Sequence, residues 1–333
     1  MLAAKVVQNC GIDVIALYFD TGFFPKKSRR RILKERMPLS TSEPRHAEKI
    51  AREIGVKLRV IDISELFVGV VTKPKFGYGK NINPCIDCKI LMLSKAKELM
   101  SEYDAKFIFT GEVVGQRPMS QHKPSLNLIA KQSDLKGYLL RPLSAKILKP
   151  TIPEQEGWID REKLYDFSGR SRQRQMQLAE ELGIKNYAQP GGGCFLTEPH
   201  FAVRLHDLFE YTELEKITTT DLKLTMYGRH FRISPKVKII VGRDESDNIV
   251  LEKFTKGRWV LQAIDFKGPL TLIIGNPHKA EIEQAARLTA RYCDGKYESK
   301  VRIEAIKEGE RLIHLVNPLT PESSESLRIG KDV

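Results

Sequence analysis

Cys85 and Cys88 stand at C-x-x-C spacing inside Gly79-Lys80-Asn81-Ile82-Asn83-Pro84-Cys85-Ile86-Asp87-Cys88-Lys89, a Gly- and Asn-rich loop that runs into an apolar, helix-patterned stretch. Two thiols at that spacing can share a metal, form a disulfide, or act as nucleophile and resolver. A helix N-terminus favours the thiolate, because its unpaired N–H groups carry partial positive charge. Taken alone, the pair reads equally well as two buried apolar thiols. A third cysteine changes the balance. Cys194 ends Gly191-Gly192-Gly193-Cys194, and three successive glycines signal unusual backbone angles or close approach to a ligand. Three cysteines so placed read as a site. Cys10 and Cys293 fall in helical patterns and read as inert.

These residues sit in a chain of 333 residues, long enough for two or more domains. No apolar run has the length of a membrane span and no signal peptide opens the sequence. Five cysteines, an odd number, argue for a reducing compartment and a cytoplasmic location rather than a disulfide scaffold. The formal net charge of +13 points to a polyanionic partner, nucleic acid first. Residues 201–333 carry 22 Lys/Arg against 20 Asp/Glu, so the first 200 hold 33 against 22 and nearly all of the excess.

The elements that must position the cysteines alternate. A helix over Met1–Gln8, a strand over Asp13–Phe19, a helix over Ser42–Gly55 and a strand over Lys57–Ile63 come first. The cysteine helix Ile86–Tyr103 and a strand over Lys106–Thr110 follow. Such alternation predicts an α/β fold with a doubly wound parallel sheet. Ligands in these sheets bind past the carboxyl ends of the strands, where Asp20, Thr21, Gly111 and Glu112 stand. The loop after the third strand adds Gln116, Arg117, Ser120 and Gln121, donors suited to phosphate or ribose oxygens. Lys26–Arg36 packs seven Lys/Arg into eleven residues and reads as a solvated loop or a phosphate-contacting arm. Beyond a proline-rich stretch from Leu139 to Pro153, the helix Ser171–Leu182 presents Arg172 and Arg174 early, in a segment that could face nucleic acid.

The last 130 residues read differently. Arg229 to Arg243 is a basic hairpin, followed by a helix over Asp247–Phe254 and strands from Arg258 to Ile274. Between 223 and 258 there are nine Lys/Arg against four acids, with Phe231, Phe254 and Trp259 interleaved. That is the composition of a face that binds an RNA backbone and stacks its bases. Arg232, Lys236, Lys238, Arg243, Arg258 and Trp259 are its expected contacts, although Phe254 is more at home in a core. A helix over Pro277–Tyr292, strands Lys300–Ile306 and Leu312–Val316, and a polar tail from Pro318 complete an α+β unit.

Phe76-Gly77-Tyr78-Gly79 through Cys88, the Thr110–Gln121 loop and Gly191–Thr197 together resemble the PP-loop ATPases that thiolate tRNA, the 4-thiouridine and 2-thiouridine synthases. Residues 228–333 resemble the NFACT-type RNA-binding domain. The resemblance implies a HUP-like ATPase domain over 1–150, an adaptor with the Gly-rich cysteine loop over 151–200, a helical linker over 201–227 and the RNA-binding domain over 228–333. It implies ATP with Mg2+, held near Asp20, Thr21, Gly111, Glu112 and Gln116. Its partners are tRNA, a sulfur-donor protein or sulfide, and a possible homodimer. ATP adenylates a uridine carbonyl oxygen and a sulfur species displaces AMP. Cys85, Cys88 and Cys194 could ligate three irons of a [4Fe–4S] cluster, or Cys194 could bear a persulfide that Cys85 or Cys88 resolves. Structural zinc usually wants a fourth Cys or His, for which His122, His200 and His206 have no obvious claim.

In the family a Ser-Gly-Gly-x-Asp-Ser pyrophosphate loop precedes a helix like Met1–Gln8, and the sequence as written starts where that loop ends. The expectation is that Met1 is a start assigned inside the first helix. The phosphate cradle and the first strand are then missing, leaving the sheet with a gap or exposed edge. The alternative function is an RNA-binding protein whose ATPase half is inactive.

Overall fold

The computed structural model describes residues 1–22, 44–184 and 194–330. They pack as two compact units, Met1–Cys194 and Phe195–Val333. The basic run Lys26–Arg36 and the three glycines before Cys194 lie outside the described residues. Among those described, no helix is long and apolar enough to cross a membrane.

The first unit is α/β. Helix α1 (Leu2–Asn9) buries Ala3, Ala4, Val6 and Val7, the stripe that spacings of three and four place on one face. Strand β1 (Ile15–Asp20) pairs in parallel with β2 (Lys57–Asp62), Ile15 against Lys57 through Asp20 against Asp62. Helix α2 (Pro44–Ile54) connects them, as a parallel crossover requires. Helix α3 (Ser64–Thr72) follows β2 directly, an element the sequence pattern does not announce. Helix α4 (Cys85–Glu98) carries the C-x-x-C pair. A second parallel pair joins β3 (Ile108–Phe109) to β4 (Leu139–Leu140), with α5 (Lys123–Gln132) between them. Leu139 and Leu140 are buried at the start of the proline-rich stretch.

The two strand pairs form separate sheets. A cavity of about 970 Å³ is lined by Ile15, Leu17 and Phe19 of β1 and by Ile108 and Phe109 of β3. The core beside it gathers Val7, Leu140, Leu143, Phe167 and Leu178, each worth about 1.5–3 kcal/mol when fully buried. Leu178 comes from α6 (Gln173–Glu181).

The second unit is built on a six-stranded sheet in the order β10-β9-β7-β8-β6-β5. These strands are β5 (Arg229–Ser234), β6 (Val237–Val241), β7 (Trp259–Ala263), β8 (Thr271–Gly275), β9 (Val301–Lys307) and β10 (Glu310–Val316). Every pairing within it is antiparallel. Alternation along β6 sends Val237, Ile239 and Val241 into one cluster with Ile282, Ala285 and Ala286 of α9 (Lys279–Arg291). The alanines let the helix lie close to the strands. Ile240 belongs to a different cluster, with Leu224, Leu251, Leu270 and Leu272. Leu251 comes from α8 (Glu245–Glu252), started by Asp244, whose carboxylate accepts from the Asp247 N–H.

Two findings depart from expectation here. The helix α7 (Pro199–Tyr211), read as a linker, belongs to this unit: its Asp207 binds Arg232 and Lys238 of the hairpin. The tail is not merely polar. It forms a short helix (Pro321–Ser326), and then Arg232 N–H donates to Leu327 O and Ile329 N–H to His230 O. That return covers the outer edge of β5, which would otherwise present unpaired backbone groups.

Candidate functional site

The cysteine turn is tied down at both ends. Gly79 N–H donates to Asn83 O at 2.8 Å, closing the loop, and Cys88 N–H donates to Pro84 O at 2.9 Å, opening α4. The Asp87 carboxylate accepts from the Lys75 and Phe76 N–H groups at 2.9 and 3.1 Å, locking the preceding turn onto the first helical turn. A Cβ at Gly79 would lie 2.4 Å from Met119 Sδ, so a side chain there would have to displace that thioether.

Within this frame the Cys85 thiol donates to Ser120 Oγ at 3.2 Å, and Ser120 is wholly buried. Burial pushes the Cys88 thiol up to about 12, assisted by its neighbours Cys194 and Cys85 and opposed by the Lys89 ammonium. The C-x-x-C pair and the distant Cys194 therefore share one electrostatic neighbourhood in the first unit. Among the described residues, no three His, Cys, Asp or Glu side chains converge closely enough to hold a metal ion. A mononuclear zinc site, with Zn–S bonds of about 2.3 Å, does not fit this arrangement.

Glu112 stands at the carboxyl end of β3 and is 5% exposed. It accepts from the Lys89 ammonium, from Arg141 Nε at 3.0 Å and from Thr110 Oγ1 at 3.0 Å. Burial alone would raise this carboxyl, but Lys89 and Arg141 outweigh it and hold the group below its usual range. Arg141 also donates to Leu126 O, so one carboxylate joins α4, β3 and α5. Glu112, expected near nucleotide, here accepts from three neighbours and ties the cysteine helix to the strand edge.

The other edge residues divide. Asp20 Oδ1 accepts from the Gly22 N–H at 2.8 Å, Thr21 is buried, and Gly111 is exposed. Gly111, Gln116 and Arg172 line a second cavity of about 180 Å³ with Leu143, Gln175 and Met176. Gln116 Nε2 is buried there and finds no partner among the described residues. Burial and then the nearby Arg117 charge lower Arg172 below the usual arginine value, so these two cations, 55 positions apart in the chain, are neighbours. Arg174 is turned elsewhere: it pairs with Asp166 at 2.6 Å and lies 4.5 Å above the Phe167 ring.

In the second unit most of the expected RNA contacts are structural. Trp259 is 7% exposed and sits in the core with Leu261 and Ile273, so it offers no stacking face. Arg232 donates two hydrogen bonds to Asp207, at 2.9 and 2.6 Å, and lies 4.3 Å over the Tyr211 ring. Lys238, 6% exposed, donates to the same carboxylate at 2.9 Å. Arg243 is bound to Asp247, and Arg258 donates to Phe254 O. Acids on other elements engage Arg232, Lys238 and Arg243, a backbone carbonyl engages Arg258, and the core takes Trp259. A basic hairpin flanked by acids on other elements satisfies its charges inside the fold, and only Lys236 of the hairpin set is exposed. Sequence reasoning passed over Tyr297, which is 86% exposed. Its only signal was an aromatic set among the charged residues of Asp294–Lys300.

Comparison with known proteins matches residues 1–157 to the tRNA methyl transferase HUP domain family and residues 228–328 to the NFACT protein RNA binding domain family. No curated protein matches the chain. Among solved structures it is similar to the C-terminal of the fibronectin/fibrinogen-binding protein from Streptococcus suis. The identity is 14%, over 73% of this chain and 94% of that one, with a TM-score of 0.29.

Proposed function

We propose that this chain, which joins a HUP domain of the tRNA methyl transferase family to an NFACT RNA-binding domain, modifies tRNA by replacing a uridine carbonyl oxygen with sulfur. The observation that carries this reading is the shared neighbourhood of Cys85, Cys88 and Cys194 at the opening of α4, beside the Lys89–Glu112 pair. Thiols that influence one another suit sulfur delivery, where one carries sulfur and another resolves the carrier.

The chemistry follows from the atoms. ATP transfers AMP to the carbonyl oxygen and releases pyrophosphate, which makes the carbon electrophilic and the oxygen a leaving group. A sulfur nucleophile adds at that carbon, and AMP departs with the oxygen. Asp20, Thr21, Gly111 and Gln116 stand where adenosine would be held in this reading, with Mg2+ on the phosphates. Arg117 and Arg172 would meet an RNA phosphate.

In the cluster route, Cys85, Cys88 and Cys194 are the residues that would hold a [4Fe–4S] cluster, and the cluster would supply a place for sulfide. The residues by themselves offer another route. A persulfide on Cys194 attacks the activated carbon, and a second thiol then attacks the Cys194 sulfur. The thiocarbonyl is released and a disulfide remains, which a reductant such as a dithiol must reopen. The resolving thiol would be Cys85, beside Ser120, or Cys88.

Nucleoside mass spectrometry of tRNA from a strain lacking the gene tests the reading. A thiolated uridine should disappear and return with the parent gene, but not with Cys85→Ala, Cys88→Ala or Cys194→Ala. Loss of a methylated nucleoside would overturn sulfur transfer. An unchanged tRNA profile would favour an RNA-binding protein without activity. Anaerobic purification separates the two sulfur routes. The cluster route predicts iron and sulfide that are lost on changing any of the three cysteines but kept in Cys10→Ala and Cys293→Ala. The persulfide route predicts colourless protein with a disulfide from Cys194 to Cys85 or Cys88.

A further inference from the structure

The second unit presents one large aromatic ring almost entirely to solvent. Tyr297 is 86% exposed, against 58% for the next most exposed large apolar side chains, Ile313 and Leu315. A ring that bare is usually on a floppy loop, but this loop is built. Asp294 N–H donates to Lys267 O at 2.8 Å, Lys296 N–H to Cys293 O at 3.2 Å and Glu298 N–H to Gly295 O at 3.0 Å. Gly295 is buried, and a Cβ there would lie 2.5–2.8 Å from the Phe266 ring. The close approach of that ring sets where the loop runs. Cys293, at the loop's root, is itself buried.

The surroundings of the ring are cationic rather than apolar. The Lys296 ammonium lies 5.0 Å from the Tyr297 ring centre. Lys267, brought alongside through its carbonyl, and Lys300 are both exposed. The acids on the same loop are Asp294 and Glu298, and the neighbouring Asp265 is neutralised by two hydrogen bonds from Arg302. A protein-binding hot spot would set its aromatic in a dry apolar patch. A single-strand binder needs a fixed ring for a base and flanking cations for the phosphates. We propose that Tyr297 is a base-stacking platform for single-stranded RNA, with Lys267, Lys296 and Lys300 gripping the adjacent phosphates. The inference rests on the RNA-binding reading of this unit and gives it a location.

The test is the binding of the full chain to a fluorescent single-stranded oligouridine, read across a salt series. Tyr297→Ala should weaken binding by roughly five- to a hundredfold, the range for losing one stacked base. Tyr297→Phe, which keeps the ring, should stay within about twofold of the parent. Changing Lys267, Lys296 and Lys300 together to Ala should flatten the salt slope, by about 0.7 for each phosphate that is no longer neutralised. All four side chains are exposed, so folding should survive, and circular dichroism confirms it. Parent-like affinity in Tyr297→Ala overturns the platform while leaving RNA binding intact and the ring to a protein contact. A parent chain that binds no RNA at all overturns the RNA reading itself.

Discussion

Glu112→Ala should destabilise the first unit by about 3–5 kcal/mol, the cost of leaving buried cations without their carboxylate. Arg141 is 6% exposed and Lys89 is largely covered, so neither can recover its hydration when Glu112 is gone. Glu112→Gln should cost less, because the amide oxygen still accepts from one of them. Each unit contains one tryptophan, Trp158 and Trp259. Urea titration of a Trp259→Phe background, followed by Trp158 fluorescence, therefore reads the first unit alone. A loss below about 1 kcal/mol would show that Glu112 does not hold α4 to the strand edge. The pH dependence has a definite sign. The folded carboxyl lies below its unfolded value, so its stabilisation is present above about pH 4.3 and is lost as the pH falls through the lower, folded pKa. The gap between parent and variant should close in acid. Cysteine modification should shift as well, because the Lys89 charge beside Cys88 would no longer be anchored.

The second large effect is expected in the other unit. Asp207 accepts three hydrogen bonds, two from Arg232 and one from Lys238. Burial would raise its carboxyl, but those two cations hold it below the usual range. Asp207→Ala should cost about 3–5 kcal/mol by the same argument, read through Trp259 in a Trp158→Phe background. An unchanged urea midpoint would sink it. Lys238 adds a test at the other end of the pH scale. Burial, opposed by Asp207, lowers its ammonium from 10.5 to about 8. Between about pH 8 and 10 the Lys238 amine holds less proton in the folded chain than in the unfolded one, so its own contribution to stability should rise with pH across that window. Lys238→Met should abolish the rise. A parent-minus-variant stability difference that is flat or falling from about pH 8 to 10 would contradict this placement of Lys238.

The sequence by itself determined the elements and the chemistry available to them. The stripe Ala3, Ala4, Val6, Val7 could only be a buried helical face, and strand–helix alternation could only close as parallel pairs. Asn83-Pro84-Cys85 running into an apolar helix put two thiols at a helix start because local signals, a proline and a helical period, act over a few residues. Tertiary structure alone decided which charges are spent. Glu112 sits 23 positions from Lys89 and 29 from Arg141, and Asp207 sits 31 from Lys238. No local pattern encodes such pairings, so residues that read as ligands for nucleotide or RNA became internal ties. Burial worked the same way on the aromatics. Trp259 and Tyr297 are both rings among basic residues in the sequence. One lies on a strand whose inward positions face α9, and the other on a loop that Gly295 and Phe266 hold at the surface. Strand register and the depth of the sheet, properties of the whole unit, left only the tyrosine to meet a partner.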